Sequence, residues 1–248
     1  ICQYLLLLFF LFAGASAADP RQWIPTRWPG GPLEIWRRTQ TKTLPADPKI
    51  QDSLRRWYEP DTLDLLKGTP VNCLLVSWSA GADAETERQQ RQLVQSYAQQ
   101  ARSRGIAVVG VIYAGAAMAR AAAQAAEAKL DGVLVEGSGL EARRKGLVVI
   151  PMAPFEKTPR PAEGPIVAIS DSLWPRIRPM DPGATSGPTG DPWLDSNSWR
   201  VRSLRAGKSA TAVWLGHVPD RAALEDYPRA VADAAIAARA AHLVLAGA

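Results

Sequence analysis

The sequence predicts an α/β protein built as a (β/α)8 barrel of the TIM type. Three observations lead to this fold class. The chain has 248 residues, of which 47% are hydrophobic and 21% are charged, enough to bury one large core. Uninterrupted apolar runs of strand length alternate with helical segments, which is typical of a parallel sheet covered by helices. Eight such strand segments fit within the roughly 250 residues of this barrel.

The first seventeen residues are expected to form a secretory signal. Residues 4–13 are a continuous apolar run that is too short to span a bilayer, and Ala15-Ser16-Ala17 is a cleavage-like sequence. The chain begins at Ile1 without the usual basic segment, so we expect a truncated signal; a buried N-terminal helix is the alternative. Cleavage after Ala17 predicts a secreted or periplasmic protein without membrane contact.

The mature chain is predicted to consist of an irregular arm rich in Pro, Gly and Trp at residues 18–32, followed by a barrel domain at residues 33–248. The predicted strands lie at 33–36, 71–77, 106–112, 132–135, 147–150, 165–170, 210–215 and 242–245. The helices between them are predicted at 48–58, 60–67, 83–104, 116–129, 140–145, 198–205 and 226–241. No helix follows the last strand, so the barrel is allowed to be incomplete at its C-terminus.

Capping residues and apolar runs justify these elements. Asp47 followed by Pro48 is an N-cap with proline at the first helical position, and Asp83 begins a long amphipathic helix that Gly105 ends. The strand at 71–77 is strongly apolar, whereas that at 33–36 is weak. An open doubly wound sheet is the rival fold, but no G-x-G-x-x-G turn follows an early strand.

The composition excludes several classes of function. With 2 Cys and 2 His in the whole chain, we expect neither a Cys/His zinc site nor a disulfide framework, and we predict no metal and no cofactor. The net charge is +5, but the basic residues are scattered among acidic ones. A nucleic-acid interface needs clustered basic residues interleaved with aromatic ones, so we expect no nucleic-acid partner.

Aromatic, acidic and amide side chains follow the predicted strand ends, where barrel proteins bind their ligands. Aromatic rings cover the C–H faces of sugars, and carboxylates and amides bind hydroxyl groups, so this mixture predicts a carbohydrate ligand. The candidate binding residues are Trp78, Tyr113, Asp191, Trp193, Asp195, Asn197, Trp199 and His217. Packing between helices and strands is the alternative for each Trp, and we expect it for Trp36, Trp57 and Trp214.

Two carboxylates are candidates for catalysis. Glu136 directly follows the strand at 132–135 and is the candidate proton donor, while Asp171 follows the strand at 165–170 and is the candidate base or nucleophile. Glycoside hydrolysis needs two such groups flanking the scissile bond. The loop residues Asp191 and Asp195 are alternatives. Helix capping, or an ion pair of Glu136 with a nearby arginine, is the competing interpretation.

A serine hydrolase is a further alternative. Ser79 lies between a strand and a helix, as in a nucleophile elbow, and Ser79, Asp171 and His217 occur in the order of an α/β-hydrolase triad. However, Ser77 occupies the position where glycine relieves the tight turn, and only one weak strand precedes this segment.

The strand-end carboxylates, the tryptophans and the leader together resemble those of bacterial secreted glycoside-hydrolase-like TIM barrels. This resemblance implies an exported carbohydrate-active protein, in first place a glycoside hydrolase and in second place a noncatalytic carbohydrate-binding barrel. In the large retaining superfamily of such barrels, the acid/base Glu follows Asn at strand four and a second Glu ends strand seven. Here Glu136 follows Val135, and the seventh strand ends in Gly216-His217.

Overall fold

Eight parallel strands form one sheet, and their order across the sheet follows the order of the chain. The computed structural model describes residues 19–137, 139–172, 176–178, 193–195, 197–205, 211–217, 228, 232–233 and 242–245. The strands of the sheet are β1 (Pro25–Trp28), β2 (Cys73–Ser79), β3 (Ala107–Ile112), β4 (Gly132–Glu136), β5 (Val148–Ala153), β6 (Ile166–Ile169), β9 (Ala212–His217) and β10 (His242–Leu245). A separate antiparallel pair consists of β7 (Arg176–Arg178) and β8 (Trp193–Asp195).

Five α-helices are present among the described residues, namely α1 (Gly31–Gln40), α2 (Pro48–Arg56), α3 (Ala84–Ser103), α4 (Met118–Glu127) and α5 (Ser198–Leu204). Short 3-10 helices lie at Pro20–Gln22, Pro60–Leu66, Leu140–Ala142 and Phe155–Lys157. The predicted caps are confirmed, since the carboxylates of Asp47 and Asp83 accept hydrogen bonds from first-turn backbone N–H groups. No helix in this part of the chain is both long and apolar enough to cross a membrane.

The first strand and the first helix differ from the prediction. The segment 33–36, predicted as a strand, lies within α1, and β1 lies inside the predicted irregular arm. Four apolar-rich residues fit either a strand or one helical turn, so tertiary pairing decides between them. Because β1 pairs with β2 along Pro25–Trp28, the sheet domain begins before residue 33.

The two faces of the sheet are buried in different ways. The inner face packs on itself, since Cys73 and Leu75 of β2 share one cluster with Ala212 and Trp214 of β9, without a helix between them. The outer face packs against helices, with side chains such as Val76 against Val94 of α3. Strand residues that alternate between two faces therefore divide into an interior lining and a helix-covered exterior.

The sheet is curled. Among the described strands the hydrogen-bonded ladder runs from β1 to β10, and Cα atoms of these two strands approach within 8 Å. The predicted α/β class and the parallel order are confirmed, and in the described residues the ladder is open between β1 and β10. The predicted signal at residues 1–17 and most of the helix predicted at 226–241 lie outside the described residues.

Substitution of Gly31 tests how α1 is seated. Gly31 has φ +77, and a Cβ there would lie 2.3 Å from Gln90 Oε1, which accepts from Leu33 N at 3.2 Å. Gly68 has the same φ with open space around it. Both Gly→Ala variants acquire left-handed strain of about 1–2 kcal/mol, but we expect Gly31→Ala to lose about 1–3 kcal/mol more because of overpacking. Urea unfolding measures the difference, and equal losses would contradict this seating.

Candidate functional site

Polar side chains replace the apolar lining at the carboxyl ends of the first four strands. Arg27 and Leu75 are paired in the β1–β2 register, and Ser77 follows two residues after Leu75 on the same inward face. Tyr113 directly follows β3, and Glu136 ends β4. The interior is therefore apolar along most of its length and polar at the end where barrel proteins bind ligands.

Glu34 of α1 supplies a buried carboxylate to this polar end. Its side chain is 0% exposed, and its Oε1 accepts from Arg37 Nη2 and Arg38 Nε, both at 2.9 Å. Its Oε2 accepts from Arg37 Nε at 3.2 Å and from Ser77 Oγ at 2.9 Å. The arginines lie three and four residues after Glu34, the spacing at which helical side chains meet. We define the mouth cluster as Arg27, Glu34, Arg37, Arg38, Ser77 and Tyr113.

A chain of hydrogen bonds connects the strands to this carboxylate. Arg27 Nη2 donates to Tyr113 Oη at 3.0 Å, and the hydroxyl groups of Tyr113 and Ser77 are 3.0 Å apart. The single hydroxyl proton of Ser77 is directed to Glu34, so Tyr113 must donate to Ser77. Burial raises the pKa of Tyr113, which keeps this phenol protonated and able to donate.

The electrostatics of Glu34 follow from its partners. Burial raises the pKa of this carboxyl, but hydrogen bonds from Arg37 and Arg38 and the charges of Arg27 and Arg37 outweigh burial and lower it to about 2. A carboxyl held ionised in this way cannot donate a proton near neutral pH. Both of its oxygens are already hydrogen-bonded, so Glu34 organises the arginines and is not available as an acid or a nucleophile.

Glu136 lies beside the mouth cluster. Its Oε2 accepts from Ala114 N at 2.8 Å, and the side chain is half-buried. Burial lowers the pKa of Arg37, but the hydrogen bond to Glu34 and the charges of Glu34 and Glu136 raise it above the ordinary value. Glu136 therefore lies within electrostatic reach of Arg37, and its backbone-bound Oε2 fixes the position of the carboxylate at the end of β4.

A buried glutamine of α3 seats α1 so that Glu34 reaches the strands. Gln90 is 0% exposed, and its amide donates to Ser77 O at 2.9 Å and to Tyr58 Oη at 3.3 Å. The amide oxygen accepts from the backbone of Leu33. Gln90 thus connects the strand that carries Ser77 with the first turn of the helix that carries Glu34.

Asp171 has partners outside the mouth cluster. Its Oδ1 accepts from Phe155 N at 2.7 Å and lies 3.8 Å from Arg200 Nη1. Asp171 comes two residues after Ile169, whose side chain packs on the outer face of the sheet. The two predicted catalytic carboxylates therefore have different partners. Glu136 accepts from Ala114 N beside the mouth cluster, and Asp171 accepts from Phe155 N at the start of a 3-10 helix.

Trp78 and Asn197 are buried and offer no surface to a ligand, contrary to their predicted roles. Trp78 is 0% exposed, and its indole N–H donates to Ala121 O at 2.9 Å. Asn197 is also 0% exposed, and its backbone N and Nδ2 each donate to Asp233 Oδ2 at 2.9 Å. Packing under α4 explains the first residue, and a hydrogen-bonded loop contact explains the second.

Ser79 is also engaged away from the inner face. The β2–β3 register shifts between Ser77 and Ser79, and such a bulge redirects the residues that follow it. Ser79 Oγ donates to both carboxylate oxygens of Glu87 on α3, at 3.0 and 3.1 Å. This partner and that of Asp171 do not form the arrangement expected of a Ser–Asp–His triad.

Of the remaining predicted site residues, the structure describes the side chains of two, Tyr113 and Trp199. Tyr113 belongs to the mouth cluster, and Trp199 is 48% exposed, with its ring edge-to-face on Phe155 at 4.9 Å. The others are Asp191, which lies outside the described residues, and Trp193, Asp195 and His217, which are described by their backbone only. Trp214 is 1% exposed inside the sheet, as expected of a packing residue.

Sequence analysis missed five residues of the mouth cluster, namely Arg27, Glu34, Arg37, Arg38 and Ser77; Ser77 was considered only as a position in a tight turn. Arg27 was assigned to an irregular arm. Glu34, Arg37 and Arg38 lie on α1, part of which was predicted as a strand. One signal was available, because a Glu followed by Arg at both the third and the fourth position is a pattern for helical ion pairs. It indicates a helix but not that the pairs are buried.

A cavity of about 530 Å³ lies elsewhere, on the outer face of the sheet. Its floor includes Val149, Pro151 and Val167, and Arg143 and Lys157 are among its other lining residues. In the described residues, the connections after β4 and β5 contain only short 3-10 helices, so no α-helix from these two connections covers the outer face there. We place the functional site in the mouth cluster because several polar groups from separate elements converge there.

Comparison with known proteins gives fold-level likeness alone. No family model and no curated protein matches the chain. A GH138 enzyme targeting pectin rhamnogalacturonan II is similar with a TM-score of 0.47 and 11% identity, over 90% of this chain and 32% of that one. Tryptophan synthase subunit alpha from Campylobacter jejuni gives a TM-score of 0.46 and 11% identity, over 91% and 87%. At these scores, neither protein informs the chemistry of the site.

Substitution of Glu34 tests whether its carboxylate organises the cluster. Glu34→Gln leaves partly buried arginines without the buried carboxylate that pairs with them, so we expect a loss of up to about 3–5 kcal/mol in the free energy of unfolding at pH 7. The folded-state pKa of about 2 lies below the ordinary value of 4.5. The stabilisation by Glu34 is therefore present above pH 4.5 and decreases as the pH falls towards 2.

Urea unfolding of both proteins at pH 7 and pH 3 measures this effect, and the gap between them should narrow at the lower pH. Glu85→Gln is the matched control, since Glu85 pairs with Arg88 in the exposed first turn of α3, and we expect it to leave stability nearly unchanged. A gap of the same size at both pH values would contradict the assigned role of Glu34.

Proposed function

We propose that this chain binds carbohydrate at the mouth cluster and Glu136. One observation carries the proposal: a phenol, guanidinium groups and a carboxylate converge at the polar end of an otherwise apolar interior. Tyr113 contributes an aromatic ring, with Arg37 Cζ 5.0 Å from the ring centroid. Guanidinium groups donate hydrogen bonds and carboxylates accept them, and a ligand rich in hydroxyl groups can use both at once.

Binding without hydrolysis is the form of this function favoured by three carboxylates whose side chains the structure describes, namely Glu34, Glu136 and Asp171. A two-carboxylate mechanism needs both groups to flank one bond. Asp171 is engaged by Phe155 N, with Arg200 beside it, and Glu34 is held by arginines and Ser77. Glu136 is then left without either of these carboxylates as a catalytic partner.

A glycoside hydrolase acting through Glu136 is the second candidate. Its support is the position of this carboxylate at the end of β4, beside Tyr113 and the arginines, where a proton donor would reach a bound sugar. The apolar run at residues 4–13 and its cleavage-like sequence support an exported protein in either case, with polysaccharides outside the cell as the available ligands.

Glu136→Gln tests the site on a panel of plant and bacterial polysaccharides. We expect the wild-type chain to bind at least one member, and Glu136→Gln to weaken that binding about tenfold or more, because a hydrogen bond to a charged acceptor contributes about 1.5–3 kcal/mol. Isothermal titration calorimetry measures the binding, and an assay for new reducing ends detects hydrolysis. Glu141→Gln is the control, since Glu141 is exposed on the 3-10 helix after β4.

The outcomes separate the two candidates. Binding without new reducing ends supports a binding protein, and hydrolysis that Glu136→Gln abolishes supports an enzyme. Failure of the wild-type chain to bind any member of the panel contradicts the proposal, as does binding that Glu136→Gln leaves unchanged.

A further inference from the structure

The mouth cluster contains more guanidinium donors than its own carboxylate uses. A guanidinium has five N–H donors. Within the described contacts, Arg27 donates one hydrogen bond, to Tyr113 Oη, and Arg37 donates two, both to Glu34. The side chains of Arg27 and Arg37 are 29% and 26% exposed, whereas that of Arg38 is 12% exposed.

Arg27 is not needed to satisfy the hydrogen-bonding capacity of the Glu34 carboxylate. The two carboxylate oxygens of Glu34 already accept four hydrogen bonds from Arg37, Arg38 and Ser77. Arg27 Nη2 is 3.6 Å from Glu34 Oε1, beyond hydrogen-bond distance, and donates to the phenol of Tyr113 instead. Arg27, at the carboxyl end of β1, therefore acts on Glu34 through its charge alone, and the described contacts leave N–H groups of its guanidinium for a ligand.

The charges of the described residues at the site do not cancel. Among these residues, three arginines lie near two carboxylates, those of Glu34 and Glu136, which leaves an excess of one positive charge. A partly buried excess charge is unfavourable unless it is paired. One monovalent anion at the mouth cluster would restore neutrality, whereas a divalent phosphate would reverse the sign beside Glu136.

We infer that the ligand of the mouth cluster is an acidic sugar whose carboxylate is bound by Arg27 and Arg37. The inference rests on the proposed carbohydrate function and names its substrate class. A carboxylate is planar with two acceptor oxygens and matches the paired N–H groups of a guanidinium. The sugar hydroxyls then lie toward Glu136, which accepts hydrogen bonds, while Tyr113 contributes its ring.

Matched sugars with and without the carboxylate test the inference. The probes are galacturonate and glucuronate with their oligomers, the neutral galactose and glucose series, and galactose 6-sulfate, each titrated into the full chain by calorimetry or ligand-observed NMR. We expect the uronates to bind at least tenfold more tightly than their neutral counterparts. We also expect this preference to decrease steeply as the salt concentration is raised from about 0.05 to about 0.5 M, because the Debye screening length shortens to a few ångströms over this range.

Variants of Arg27 localise the effect. Arg27→Gln should reduce the preference for uronates over neutral sugars, measured as the ratio of the two affinities on the same variant, to near one, and Arg27→Lys should recover only part of that ratio because an ammonium lacks the paired N–H geometry. Arg143→Gln is the control, since Arg143 is exposed and pairs with Glu163 away from the mouth cluster. Unfolding curves of each variant confirm that the fold is retained.

Each outcome decides one of the two proposals. Equal binding of uronates and neutral sugars overturns the acidic-sugar inference and leaves carbohydrate binding standing. A preference for the sulfated sugar over the uronates overturns the carboxylate assignment, and a preference that Arg27→Gln retains overturns the assignment to Arg27. Absence of binding to every sugar overturns the proposed function itself.

Discussion

The buried carboxylate of Glu34 is the constraint on which the polar end of this protein depends. An ionised carboxylate out of water is strongly unfavourable unless it is paired and hydrogen-bonded, and Glu34 is 0% exposed. Two of its partners come from its own helix, at the third and fourth residues after it, and one is Ser77 of the adjacent strand. One carboxylate therefore connects helix α1 with strand β2 and pairs with the arginines of the site.

The interior of the curled sheet is apolar towards one end and polar towards the other because of Glu34. Cys73 and Leu75 on β2 belong to the apolar lining, and the next inward residue, Ser77, contacts Glu34. The change from apolar to polar takes place within two residues of one strand. The described polar side chains of the interior consequently lie at the carboxyl ends of the strands, while the apolar remainder stabilises the fold by burial.

The elements that the sequence predicted well are those with long, unambiguous patterns. Strands β2 to β6 are runs of apolar residues flanked by helices, and α3 has both a capping Asp83 and a 20-residue amphipathic pattern. β1 and α1 were misassigned because Pro25–Trp28 is short and polar at Arg27, and because Leu33–Trp36 fits a strand as well as one helical turn. These two elements carry four residues of the mouth cluster, so their misassignment meant that these four residues were not predicted as part of the site.

The sequence by itself determined the α/β class, the parallel order of the strands and the position of Glu136 at a strand end, because these follow from periodicity and chain order. Tertiary structure alone decided which side chains meet. Trp78 was predicted to follow a strand, yet it lies within β2 and is buried under α4, and Asp171 is engaged by Phe155. Arg27 and Glu34 are close because β1 pairs with β2 and Gln90 seats α1. Such contacts depend on packing between distant segments, which local patterns do not contain.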